Sequence, residues 1–395
     1  MSAAAVMDTE TLQALKRRVV ERVESLRDQI LATSRHLHDN PELSGEEYES
    51  AKLLAGRAEA NGFAVEHGIA GLPTAFKAVK APASTNGECK PRIAFLAEYD
   101  ALPVVGHGCG HNMIGTAGTY AAIGLAAISD ELPGQVELFG TPAEETVGGK
   151  IIMLEAGAFE GVSAALMMHP GIYNEVAYSS LACISVQVEF RGRSAHAAAS
   201  AWKGINALDA MIQLFVNVDM ARKQLPPSVR MPGVILSGGE RANMVPDYTK
   251  GQFSLRGKDK EEADLVYAKF IECAKAAALA TGATMTQHIE GYPYYDMRPD
   301  PVLADLYHDN WMELGGEEPH TDPKPHGSLD IGNLSHQFPC LHPSVRITYD
   351  ESIGGHTHEF REATITDFGN EQLVRAIKAL ALTGLEAMYR PDIAK

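Results

Sequence analysis

The sequence predicts an α/β protein: an open, mostly parallel sheet with helices on both faces, into which a ferredoxin-like α+β unit is inserted. Three observations predict it. From Ile93 to Met168 short apolar runs alternate with helical repeats, the order of a parallel sheet covered on both sides. After Tyr178 the apolar residues alternate with polar ones and the order becomes β-α-β-β-α-β, a two-layer unit. From about Pro293 the first style returns. Residues 1–180 and 294–395 therefore form one discontinuous domain, and 181–293 a smaller inserted one.

Each element has its own signal. Leu12, Leu15, Val19, Val23, Leu26 and Ile30 line one face of an opening helix. A second helix is expected from Ser44, with Glu47 completing a capping box, to Gly62. Ala81 to Pro91 reads as a polar loop or hairpin. Ile93–Tyr99 is a buried strand, Met113–Ile128 an Ala/Gly-rich helix, Val136–Gly140 a strand, Lys150–Ala156 a short helix and Ala164–Met168 a strand. In the insertion, Cys183–Phe190 alternates like a half-solvated strand and Ile205–Met220 is an amphipathic helix. Strands Gly233–Ser237 and Gln252–Arg256, helix Glu261–Thr281 and strand Thr284–Glu290 complete that unit. The chain ends in a helix over Phe368–Met388.

Composition narrows the function. Of 395 residues, 45% are hydrophobic and 22% charged, which excludes collagen, long coiled coil and disorder. The net charge of −17 would repel phosphate backbones and anionic membrane surfaces, so neither nucleic acid nor membrane is an expected partner. No run of about 18 apolar residues occurs and the N-terminus has no basic-then-apolar pattern, so a cytoplasmic protein is expected. Five scattered cysteines fit reduced thiols.

Four constellations could carry chemistry. Gly106-His107-Gly108-Cys109-Gly110-His111-Asn112 follows a strand and opens a helix, where a thiolate is favoured and one ion could reach both Cys109 and His111. Thr141-Pro142-Ala143-Glu144-Glu145-Thr146 follows the next strand, and two adjacent carboxylates can divide metal binding from general-base work. Met167-Met168-His169-Pro170 carries a histidine at a third strand end, and Gly354-Gly355-His356-Thr357-His358-Glu359-Phe360 a glycine-flanked pair. Singly, each has an ordinary reading: a tight turn, an acidic loop, a hydrogen-bonded structural histidine, a surface turn. The first three would face one crevice at consecutive strand ends of one sheet, and coincidence of all four is improbable. Thiolate, imidazole and carboxylate suit Mn, Zn, Co or Ni better than Ca or Mg. Nucleophilic alternatives are weaker, because Cys109 and His111 lie too close in one loop for a nucleophile–base pair and no GxSxG or phosphate-binding glycine loop is present.

Leu96-Ala97-Glu98-Tyr99-Asp100-Ala101-Leu102-Pro103, followed by Gly106 to Asn112 and Thr141 to Glu145, resembles the co-catalytic metallo-amidohydrolases of the aminoacylase/carboxypeptidase superfamily. The branch it resembles most is that of the p-aminobenzoyl-glutamate, indole-acetyl-amino-acid and hippurate hydrolases with their dipeptidase relatives. The resemblance runs from about Leu37 to Phe360 and includes an inserted lid domain. It implies that Cys109 and His111 bind metal, with Cys109 bridging two ions. It further implies Glu144 as general base, Glu145, His169 and His356 as ligands, and Asp100 as the aspartate orienting the histidine. Arg193-Ser194-Ala195-His196-Ala197-Ala198 resembles the lid segment whose histidine reaches a dimer partner's active site and polarises the scissile carbonyl. Asn243 and Arg256 resemble positions that hold a substrate carboxylate. Gly327 to Asn333, with Asp330, resembles the pocket-lining GSxDxGN loop, with Leu329 where Thr is usual.

The activity implied is hydrolysis of the amide bond of an N-acyl or N-aroyl amino acid, or of a dipeptide-like amide bearing a carboxylate. It would use one or two divalent transition-metal ions. Hydrolytic deamination of an aryl amine on the same scaffold, or a non-catalytic binding homologue, are the alternatives. A homodimer through the lid is expected, both from the resemblance and because the inserted sheet leaves an edge to be covered.

Overall fold

The computed structural model describes residues 7–83, 89–320, 327–390 and 392–393. The middle of the expected loop at Ala81–Pro91 therefore lies outside the described residues. The chain divides into two compact units, one of Met1–Ser179, Arg298–Lys324 and Asn333–Lys395, the other of Ser180–Met297 and Pro325–Gly332.

In the first unit, α1 (Thr9–Ser25) is capped by Asp8, whose side chain accepts from the Thr11 N–H, and α2 (Arg27–Asp39) follows at once. The single expected helix is thus two. The backbone turns at Leu26 (φ −101°, ψ 2°), but Leu15, Val19, Val23 and Ile30 are all buried, so the apolar period continues across the turn and conceals it. α3 (Tyr48–Ala60) starts at Tyr48 rather than Ser44 and has no side-chain cap. The expected capping box does not form because both its residues bond elsewhere. Ser44 Oγ donates to Asp100 (2.6 Å), and buried Glu47 accepts from the Gly45 N–H (2.7 Å) and Thr74 Oγ1 (2.8 Å). Then come β1 (Ala64–His67), β2 (Phe76–Lys80), β3 (Arg92–Ala97), α4 (His111–Ala126), β4 (Gln135–Gly140), α5 (Gly149–Glu155), β5 (Ala164–Leu166) and β6 (His169–Gly171).

The second unit holds β7 (Ala182–Arg191), α6 (Ala207–Arg222), β8 (Gly233–Ser237), β9 (Tyr248–Gly257), α7 (Lys260–Thr281) and β10 (Thr284–Ile289). Its strands run antiparallel in the order β10-β7-β9-β8. Alternate residues of β7 and β9 are buried beneath α6 and α7, with Val186, Val188, Phe190, Leu214, Phe253 and Phe270 in a core of their own. The 327–332 segment joins this unit through the Leu181 N–H, which donates to the Gly327 carbonyl.

In the first unit the chain then forms α8 (Pro301–Glu313), and after a short α9 (Ile331–Ser335), whose first two residues belong to the second unit, β11 (Cys340–Leu341), β12 (Ser344–Arg346), α10 (His358–Ala363) and α11 (Asp367–Ala387). Among the described residues the main sheet runs β1-β2-β4-β3-β5-β11. β4, β3, β5 and β11 are mutually parallel, whereas β1 and β2 make an antiparallel edge that sequence periodicity did not disclose. Every residue of β3 and β4 is buried, which is why β3 reads as an apolar run from Ile93, while the one buried carboxylate inside β4, Glu137, accepts from Arg92 Nε at 2.8 Å. α4 is buried along its whole length. A Cβ at Gly118 would stand 2.2 Å from the Leu96 carbonyl oxygen, so glycine there lets the helix lie directly on β3. No helix among the described residues is long and apolar enough to cross a membrane.

Candidate metal centre

β4, β3 and β5 are neighbours and point the same way, so the loops after them meet at one sheet end. The β3 loop carries Asp100, Cys109 and His111, the β4 loop Glu144 and Glu145, and the segment after β5 His169. His356 is brought to them by its own backbone: its N–H donates to the Gly108 carbonyl (2.9 Å). The β3 loop closes tightly because Gly110 adopts φ +84°, with Pro170 packed where a side chain would stand.

His111 is the first residue of α4 and is fully buried. Its Nδ1–H donates to Asp100, whose Oδ1 and carbonyl oxygen both lie at 2.9 Å. Asp100 is held in turn by Ser44 Oγ (2.6 Å) and the Glu145 N–H (3.0 Å), both donating to Oδ2. Burial works to raise the Asp100 carboxyl, but the His111 charge and these bonds reverse it and hold the group well below the usual carboxylate range. His111 is thereby oriented with Nε2 free to bind a cation.

The remaining donors gather around that nitrogen. Cys109 Sγ lies 3.5 Å from His169 Nε2, while His169 Nδ1 donates to the Pro170 carbonyl at 2.7 Å. Burial alone would raise the Cys109 thiol, yet the charges of His169 and His111 bring it down to about 6, favouring thiolate. Glu145 Oε1 stands 3.4 Å from His356 Nε2 and 3.9 Å from His111 Nε2. Bonding to Cys109 and Glu145 pushes His356 up to about 10. Among the described residues, three donor sets have one ligand atom from each residue within 4.8 Å of the others: Cys109–His111–His169, Cys109–Glu145–His356 and His111–Glu144–Glu145.

These residues fit metal ions. His111 Nε2 is buried without a hydrogen-bond partner, an arrangement costly for a polar atom unless a cation joins it. Cys109 belongs to two of the three sets, the position a bridging thiolate would occupy. Glu144 is 7% exposed and is itself a member of the third set, on a loop fixed by the Ala143 N–H donating to Glu47 Oε1 at 3.0 Å. Ser44 and Glu47 are thus supports of the site that sequence reading assigned to a helix cap.

The other expected residues lie in the second unit. His196 is exposed, with Nδ1 accepting from the Ala199 N–H (3.1 Å), and the Asn243 carbonyl accepts from the Ala197 N–H (3.0 Å), so these two segments lie together. Half-buried Arg256 donates to Ser254 Oγ (3.2 Å) and Ser328 Oγ (2.9 Å), which joins it to the loop carrying buried Asp330.

Residues 94–383 match Peptidase family M20/M25/M40. The chain is 38% identical to a mouse Xaa-Arg dipeptidase, over 97% of this chain and 91% of that protein. It is 32% identical to a p-aminobenzoyl-glutamate hydrolase polypeptide of Escherichia coli, over 69% of this chain and 60% of that protein. A crystal structure of a dinuclear metal binding peptidase from Bacillus subtilis superposes with a TM-score of 0.67 at 20% identity, covering 92% of this chain and 99% of that one.

Proposed function

The chain belongs to peptidase family M20/M25/M40 and is a hydrolase of amide bonds, and from that premise we propose that it cleaves a dipeptide or an N-acyl or N-aroyl amino acid at the Cys109 centre. One observation carries the reading: five donors of metal-binding type, Cys109, His111, Glu145, His169 and His356, converge from three strand ends and a distant loop, with Cys109 common to two donor sets. One or two divalent ions held there would polarise a carbonyl and lower the pKa of water towards about 7. The mixed sulfur, nitrogen and oxygen set favours Zn, Mn, Co or Ni.

Glu144 takes a proton from the attacking water and returns it to the leaving nitrogen, so that amide and water become acid and amine. Asp100 keeps His111 in the required tautomer. His196 donates to the oxyanion, and Arg256 and Asn243 receive the substrate carboxylate, for which a guanidinium's planar fork is suited. By the resemblance, Asp330 would take part in receiving the substrate. The protein acts as a homodimer through its second unit, and the five unpaired cysteines favour the cytoplasm.

The test is a hydrolysis panel of Xaa-Arg dipeptides, N-acyl amino acids and N-aroyl glutamates, run before chelation, after it, and after return of each metal. Metal-dependent turnover of at least one class is expected. Glu144→Gln should keep its metal and lose at least about 10²-fold in kcat. No turnover of any class by metal-loaded protein, or undiminished turnover by the glutamine variant, would overturn the respective assignment.

A further inference from the structure

Behind the donor sets lies an ion pair that the mechanism does not use. Glu98 follows β3 and is 2% exposed; Lys150, in the first turn of α5, is fully buried, and its ammonium contacts Glu98 Oε1. The other carboxylate oxygen, Oε2, stands 3.6 Å from His111 Nε2, the nitrogen that faces the metal position. A carboxylate is therefore poised at the rim of that position while belonging to none of the three donor sets. Burying two charges costs several kcal/mol per ion, and an apolar pair of similar volume is often at least as stable. Such a pair beside a metal position calls for an electrostatic explanation.

We propose that Lys150 is a positioning residue that restrains Glu98 from joining the ligands of the His111 position. The inference rests on the metal-binding reading above. With Lys150 in place, the Glu98 charge is neutralised by contact at Oε1 and the carboxylate has a cation that competes with the metal. Without it, a buried carboxylate next to His111 lacks a counter-ion, and the cation able to supply one is the metal. An additional anionic ligand would bind the ion more tightly and weaken its pull on a substrate carbonyl.

Chelator competition with Mn²⁺ and with Zn²⁺ tests this on the full-length protein. Wild type should bind metal and Cys109→Ala should bind it far less; if wild type takes up none, the metal-site reading itself fails. Given binding, Lys150→Met should hold metal at least about tenfold more tightly, a change of the size that groups behind metal ligands produce, while kcat falls. Glu98→Gln/Lys150→Met should return the affinity to within about threefold of wild type. Unchanged or weaker affinity in folded Lys150→Met, or a double variant that keeps the tight binding, would overturn the proposal. Should Lys150→Met fail to fold, Mn²⁺ electron paramagnetic resonance of Glu98→Gln decides instead. The proposal expects an unaltered coordination spectrum, because Glu98 is not a ligand, with at least about tenfold weaker binding caused by the uncompensated lysine. A changed spectrum or unchanged affinity in that variant would overturn it.

Discussion

Asp100 accepts at three points, from His111 Nδ1, from Ser44 Oγ and from the Glu145 N–H. Asparagine would fit the space, but its amide cannot present an acceptor to all three, and it loses the charge that polarises His111. Asp100→Asn is therefore expected to bind Zn²⁺ or Mn²⁺ about 10–100-fold more weakly with the fold kept, read by metal titration beside circular dichroism. A different residue-scale effect is expected at Val104, which sits at φ +70° and is 95% exposed, at the tip of the turn closed by the paired backbones of Leu102 and Gly106. A β-branched residue there costs about 1–2 kcal/mol, with no packing to offset it. Glycine removes that strain and returns about 0.5–1 kcal/mol through its freer unfolded chain. Val104→Gly should thus raise Tm by a few degrees at most, and a lowered Tm in a thermal melt would refute the strain argument. The proposed ligands Cys109, His111, Glu145 and His169 could be picked out as candidates in the sequence because each lies in the segment that follows a strand of the parallel sheet. Ser44 and Glu47 were not, because the same S-x-x-E spacing serves a helix cap and, here, two inward bonds to the site loops. Nor was Lys150 readable as a buried charge, since nothing in a short apolar helix marks which face its lysine takes.

At the scale of elements, one apolar stripe can cover two helices. Leu26 interrupts α1 and α2 without breaking the buried series, so periodicity alone could not separate them; the polar residues at the corner do more to define it. Arg27 Nε donates to Glu24 (2.6 Å) and its Nη1 to Glu371 (2.5 Å), while Lys378 Nζ donates to Glu24 (2.6 Å), which fastens the α1–α2 corner to α11. Bonds from Arg27 and then Lys378 bring the Glu24 carboxyl down to about 2, below its ordinary 4.5. A depressed carboxyl contributes stability that is complete above about pH 4.5 and is lost as the pH falls towards 2. Glu24 is 46% exposed, so solvent screening limits the effect to under about 1 kcal/mol. Glu24→Gln should lower Tm by a few degrees or less at pH 7, with the gap to wild type narrowing by pH 3. A gap that widens on acidification would contradict the network. The antiparallel β1 and β2 edge was hidden for a related reason: β1 is almost wholly exposed or half-exposed and carries no apolar alternation.

At the scale of the whole molecule, the second unit has an unpartnered side. β8 is an edge strand whose Val234, Ile235 and Leu236 are all exposed, and Ile212, Val216 and Met220 form an exposed stripe at four-residue spacing on α6. An exposed apolar edge strand and an exposed apolar helix stripe are features suited to association. A two-fold pairing of this surface with its own copy would cover both features at once, since a symmetric contact uses the same patch twice. If His196 serves the partner's centre, as the resemblance implies, then Glu144 and His196 of one working site come from different chains. Mixing inactive Glu144→Gln protein with inactive His196→Ala protein should then restore part of the activity after subunit exchange, because half-mutant dimers contain one site with both residues intact. Charged substitutions on the surface, such as Val234→Lys with Val216→Glu, should give monomers in sedimentation and abolish the recovery. Wild type sedimenting as a monomer at assay concentration, or no recovery after verified exchange, would remove the shared site. The amidase reading would stand in either case, because all five proposed metal ligands belong to a single chain.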